Sequence, residues 1–149
     1  MFCFSKGLSA PVGSILNGSA DFIARARQMR RMVGGGMRQV GVIAAAGIVA
    51  LETMVERLAQ DHQNARLLAE GLAALPGIRL DPASVQTNIV AFELEGWEPP
   101  NFLAALRQAG VLAVPFGPRR IRMVTHNDVS RQDVEMALEW IRSVCAAQV

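Results

Sequence analysis

The sequence predicts an α/β protein, and three observations carry that expectation. Met1–Phe4 is a short apolar run ended by a loop of Gly, Ser and Pro, the pattern of a buried strand and its turn. Residues 37–75 carry a long helical pattern that stops at Pro76-Gly77. Beyond it, short apolar strand patterns alternate with amphipathic helix patterns to the C-terminus.

Composition narrows the classes. A chain of 149 residues suits one domain of ordinary size and can bury a real core. Hydrophobic residues make up 51%, against a usual level of about 45–50% apolar. That excess implies surface meant to be covered by a partner chain or by further sequence. The net charge of +2 makes no global case for nucleic acid. Cys3 and Cys145 lie at opposite ends, which is neither a disulfide framework nor a metal pattern, and a reducing cytoplasm fits. No basic region precedes the apolar start, so it does not read as a signal peptide. The longest run of apolar residues and glycine, Val40 to Leu51, falls well short of the ~20 residues a membrane span needs, so no membrane partner is expected.

Taken in order, Asp21–Val33 reads as a helix with Phe22, Ala26, Met29 and Val33 on one face and Ser19 or Asp21 as its cap. Gly34-Gly35-Gly36 breaks it. Met37–Leu75 reads as one long helical stretch with Gly41 and Gly47 as the places where it could bend. Its first part is apolar nearly all round and should be buried. From Leu51 it becomes amphipathic, with Leu58, His62, Ala65, Leu68, Leu72 and Leu75 on the stripe. Strands follow at Ile78–Leu80 and Thr87–Leu94. Pro99-Pro100-Asn101 opens a helix stopped at Gly110. Strands are then expected at Val111–Phe116 and Arg120–Thr125, around a Gly117-Pro118 turn. The last helix starts at Ser130, with Ser130 and Asp133 as a capping box and Val129 and Val134 as a hydrophobic staple. Val134, Leu138, Ile141 and Cys145 form its inner face.

Four places could carry chemistry. Lys6 stands at a strand end before the Gly/Pro loop. It reads either as a lysine reaching into water or as an amine nucleophile able to form a Schiff base with a carbonyl. Arg25, Arg27, Arg30, Arg31 and Arg38 flank the glycine triplet with no acid among them. They read either as a solvated basic face or as an anion site, since consecutive glycines can turn backbone N–H groups into a nest and arginine binds phosphate through a planar fork. In Arg120–Thr125, strand alternation sets Arg120 and Arg122 on the face opposite Ile121 and Met123. Arg122 is then either an edge charge facing water or a bidentate carboxylate grip. His62, on an apolar stripe with no other metal-type ligand near it, reads as a packed histidine.

Ser5-Lys6-Gly7-Leu8, Ala10-Pro11-Val12-Gly13-Ser14, Gly34-Gly35-Gly36-Met37-Arg38-Gln39 and Val124-Thr125-His126 together resemble the low-specificity L-threonine aldolases, with Ser9 where that family usually has Gly. These are pyridoxal-phosphate (PLP) lyases of the aspartate-aminotransferase fold, and the likeness covers only the second half of such an enzyme. The resemblance implies fold type I: residues 1–36 as the remnant of the large, PLP-binding domain, and residues 37–149 as a connecting helix and a small α/β domain. It implies that Lys6 holds PLP covalently, that Arg38 and Arg31 approach its phosphate at a subunit interface of a homo-oligomer, and that Arg122 binds the α-carboxylate of the substrate. His126 belongs to the motif but is not expected to be the base. The family's acidic partner for the pyridine nitrogen, its phosphate cup and its ring-stacking side chain all precede the lysine. The chain is therefore expected to start inside the parent fold and to be inactive alone. Rival readings are another PLP lyase of the same fold and a non-catalytic remnant that self-associates. An RNA-binding piece is disfavoured by the lack of aromatics among the arginines.

Overall fold

The computed structural model of the chain describes residues 1–147. They form two compact units, the first Met1–Leu58 and the second beginning at Ala59.

In the first unit, β1 (Phe2–Cys3) pairs antiparallel with β2 (Ser14–Ile15), Phe2 opposite Ile15. Helix α1 (Ala20–Met32) is capped by the Ser19 hydroxyl, which accepts from the Phe22 N–H. Its expected apolar face is present, but no residue of α1 is buried. Helix α2 (Gly41–Thr53) departs further from expectation. An all-apolar helix should be buried, yet only Gly47 and Ala50 are, while Val42, Ile48, Val49 and Leu51 face solvent. The small core of this unit is Leu8, Ala10 and Ala50, with Phe4, Met54 and Leu58 against it.

The single long helix expected over 37–75 is two helices, α2 and α3 (Leu58–Ala73). The break is at residues 54–57, not at Gly41, which starts α2, nor at Gly47 inside it. Thr53 Oγ1 donates to the Val49 carbonyl at 2.7 Å, a back-bond that competes with continued helix. Met54 and Leu58 pack on the loop after β1.

In the second unit, a four-stranded antiparallel sheet has the order β3-β4-β6-β5: β3 (Ile78–Arg79), β4 (Ile89–Leu94), β6 (Arg120–Val124) and β5 (Val114–Pro115). Inward residues Val90, Phe92, Leu94, Ile121 and Met123 share one core with Leu68 and Leu72 of α3, Phe102 and Leu106 of α4 (Pro99–Gln108), and Leu138 and Ile141 of α5 (Arg131–Ala146). Alternation therefore sets Arg120 and Arg122 on the outer face, as expected from the sequence. The strand expected over 111–116 shrinks to two residues. The Val111 N–H instead closes on the Leu106 carbonyl at the end of α4, and Pro115 has no N–H to extend a ladder. The α5 capping box forms, and the Ser130 hydroxyl and backbone N–H hold the Asp133 carboxyl below its ordinary range. Among the described residues no helix is long and apolar enough to cross a membrane.

Candidate functional site

Lys6 sits on a loop whose backbone is closed on itself. The Phe4 N–H donates to the Gly13 carbonyl (2.9 Å), the Ala10 N–H to the Phe4 carbonyl (3.0 Å) and the Ser9 N–H to the Lys6 carbonyl (2.8 Å). Arg57 Nη2 donates to the Gly7 carbonyl at 3.3 Å. Leu8 and Ala10 are buried beneath the loop, while Lys6 is exposed and makes no salt bridge among the described residues. The apolar residues fix the backbone and leave the amine accessible. Lys6 is also the only lysine in the chain, a compositional signal that could have singled it out from the sequence.

The turn after Lys6 needs a left-handed residue, and Ser9 takes it with φ 56°. That conformation costs a non-glycine residue roughly 1–2 kcal/mol. Ser9→Gly should therefore raise stability by up to about 1 kcal/mol and Ser9→Val lower it by a similar amount. Denaturant midpoints of the three proteins check this; equal midpoints would show the turn to be unstrained.

The glycine triplet, for which a nest is one of two open readings, caps a helix instead. The Gly35 N–H donates to the Arg30 carbonyl (2.7 Å) and the Gly34 N–H to the Arg31 carbonyl (3.2 Å), with Gly34 at φ +84°. That pairing is a Schellman cap of α1. It commits two of the three glycine N–H groups to helix carbonyls, so they cannot also hold an anion. Arg30 and Arg31, in the last turn, lie at the negative end of the helix dipole. Arg31 and Arg38 are exposed and make no salt bridge among the described residues.

In the second unit, Arg122 lies between Ala91 of β4 and Val114 of β5 in the sheet register. It is half-buried, and its Nε is fully buried with no hydrogen-bond partner. A buried donor left unmade carries its full desolvation cost. The strand end beyond it is fixed. Thr125 is buried, its Oγ1 donates to the Asp61 carbonyl (2.7 Å), and its own backbone exchanges bonds with Asn88 through the Thr125 N–H (3.0 Å) and Asn88 Nδ2 (2.9 Å). In the Val-Thr-His triplet, then, the threonine positions the strand. His126 is half-exposed, and its Nδ1 accepts from the Asp128 N–H at 3.3 Å, a loop role as expected.

The sequence reading missed Asn88, Asp61 and Phe116. Asp61, rather than His62, is the buried residue at the start of the α3 stripe. Phe116 carries the Arg120 Cζ 5.5 Å and the Arg122 Cζ 5.6 Å from its ring centroid. Burial pushes the Cys145 thiol up, which favours its protonated form.

The beta-eliminating lyase family model matches residues 1–95. The chain belongs to the beta-eliminating lyase family. Among its relatives, the low specificity L-threonine aldolase of Escherichia coli (strain K12) is 44% identical over 139 residues, covering 93% of this chain and 40% of that protein. Low-specificity L-threonine aldolase 1 of Arabidopsis thaliana is 42% identical over 139 residues, covering 91% and 39%. The chain thus spans about two fifths of the length of these relatives, 39–40%. Among solved structures, SPT with PLP aligns with a TM-score of 0.76 at 22% identity, over 97% of this chain and 39% of that one. The cystine C–S lyase C-DES, in complex with its product cysteine persulfide, aligns with a TM-score of 0.56 at 20% identity, over 68% and 28%. These likenesses show the fold: the α/β architecture of fold type I expected from the sequence.

Proposed function

We propose that this chain is the lysine-bearing, C-terminal part of a PLP-dependent lyase. That lyase cleaves L-threonine, L-allo-threonine and related 3-hydroxy-α-amino acids to glycine and an aldehyde. The observation that carries this reading is the Arg122 guanidinium, half-buried on the outer face of β6 with no acidic partner among the described residues, a group that a substrate α-carboxylate would pair. The 44% identity to an L-threonine aldolase supports the choice of reaction. Lys6 would hold the cofactor covalently through its exposed Nζ, and Arg38 and Arg31 would offer charge to its phosphate. PLP, when bound, supplies an electron sink for bond breaking at the substrate Cα. Arg122 orients that substrate by gripping its carboxylate through two parallel N–H bonds.

The test is a chimera in which this chain replaces the matching segment of the Escherichia coli enzyme. Glycine and acetaldehyde in equal amounts from L-threonine are the expected products. Formation of 2-oxobutyrate and ammonia instead would assign the site to elimination. The chain by itself is expected to stay far below the typical enzyme turnover of roughly 1–10³ per second, since the resemblance assigns the remaining cofactor contacts to sequence before the lysine.

We infer also that the chain associates with itself. Val42 is 89% exposed and Ile48 and Val49 about half, on a helix with no charge among residues 41–51. Contiguous apolar surface of that kind is an interface or an aggregation site. Light scattering at tens of micromolar, in the aggregation-prone range of roughly μM–mM, should report oligomers; a monodisperse monomer would contradict the inference.

A further inference from the structure

We propose that Phe116 is the positioning residue that sets the Arg122 guanidinium for a carboxylate, and that Arg120 shares its ring as a second cation. The proposal rests on the carboxylate role given to Arg122 above. The Phe116 N–H donates to the Arg120 carbonyl at 2.8 Å, which fixes the backbone of Phe116 against β6. Both guanidinium carbons lie within the ~6 Å reach of a cation–π contact with that ring. A cation–π contact consumes no N–H donor of the guanidinium in a hydrogen bond. The guanidinium N–H donors lie in the plane and point outward at the edge. A ring can therefore hold the group in place while leaving the edge formed by its two terminal Nη groups free, which an internal carboxylate partner could not do.

The surroundings agree. Glu93 is the residue opposite Arg120 in the register, yet its carboxylate bonds Arg79 across β3 and β4. Arg122 has Ala91 and Val114 opposite it, neither of which can neutralise it. Two cations thus meet on one half-exposed ring with no acid pairing either among the described residues. The ligand class this favours is a carboxylate. Arg122 makes the contact, and Arg120 adds favourable potential from the same ring.

The experiment reads Arg122 directly and needs no catalysis. The chain is treated with phenylglyoxal, which modifies accessible guanidiniums, in rising acetate at constant ionic strength, and the rate at each arginine is read by peptide mass mapping. Acetate should protect Arg122, and Phe116→Leu and Phe116→Met should raise the half-protecting acetate concentration about 3- to 10-fold, the measure of a lost cation–π contact. Phe116→Tyr should restore protection. Arg131, paired with Glu135, should keep its rate throughout. Unchanged protection of Arg122 in both the Leu and Met variants overturns the positioning role while leaving Arg122 as the carboxylate ligand. A parallel change at Arg131 in both overturns it too, since Phe116 would then act through the fold as a whole. Failure of acetate to protect Arg122 in the unsubstituted chain overturns this proposal and the carboxylate role together.

Discussion

Incubated with PLP and then reduced with borohydride, the chain is expected to carry one modified side chain, at Lys6. The expectation is unusually clean because no other lysine exists; the remaining amine is that of Met1. Peptide mapping separates the two. Lys6→Ala and Lys6→Arg should both abolish the side-chain adduct, and the arginine variant shows that the amine rather than the charge is needed. An exposed lysine on any peptide reacts with an aldehyde, so the discriminating comparison is between folded and urea-unfolded chain. The folded loop is tied through the carbonyls of Phe4, Lys6 and Gly7, and should saturate at a lower PLP concentration than the unfolded one. Pyridoxal, which lacks the phosphate, separates the contribution of Arg31 and Arg38. If either guanidinium meets the phosphate, PLP should be preferred about 10-fold or more, as hydrogen bonds to charged groups are worth about 1.5–3 kcal/mol. Equal labelling of folded and unfolded chain, with no preference for PLP, would make Lys6 an ordinary surface amine.

Legibility from the sequence followed the range of the forces involved. Local patterns read well. The period-2 alternation of Arg120–Val124 set the face of Arg122, and the Ser130–Asp133 box and the Ser19 cap formed as expected. Side chains and backbone within four residues decide those features, so the information lies in the window. What failed was decided at longer range. The break at residues 54–57 arises where Met54 and Leu58 pack on a loop some fifty residues earlier, and no glycine or proline marks it. The apolar composition of α2 predicted burial, but composition reports what a helix prefers to touch, and the described residues cover only its Gly47–Ala50 side. The glycine triplet was legible as a helix stop, but it leaves open whether its N–H groups cap the helix or form a nest, because a sequence does not say which carbonyls come near. Phe116 was invisible for a similar reason: an aromatic at the end of an expected strand declares no partner, and its cation–π contacts with Arg120 and Arg122 depend on the β5–β6 register. The chemistry of Lys6 and Arg122 was suggested by residue type and motif together. Composition alone held one strong signal that went unused, a single lysine among fourteen arginines.

Arg122 should fail in a different way from Lys6. In the chimera with the Escherichia coli enzyme, Arg122→Ala should leave the cofactor absorbance and the Lys6 adduct intact, because the proposed contact is with substrate alone. It should raise the KM for L-threonine about 10- to 100-fold, the range for losing a charge-assisted hydrogen bond of about 1.5–3 kcal/mol. The change should lie in KM more than in kcat if the grip on the carboxylate is equally strong in the ground and transition states. Arg122→Lys should restore little. An ammonium is a point charge on a flexible stem and cannot present two parallel donors. Arg122→Gln separates the terms further, since it keeps a donor of similar reach without the charge. The fold offers no reason for these substitutions to unfold the sheet, as the Arg122 side chain lies on its outer face and makes no hydrogen bond or ion pair among the described residues. Removing its buried, unpartnered Nε removes a desolvation cost and should leave stability unchanged or slightly raised. Loss of the cofactor band with an unchanged KM would assign Arg122 to the cofactor. A large fall in thermal stability would instead make it a structural arginine, and either result would end its reading as the carboxylate ligand.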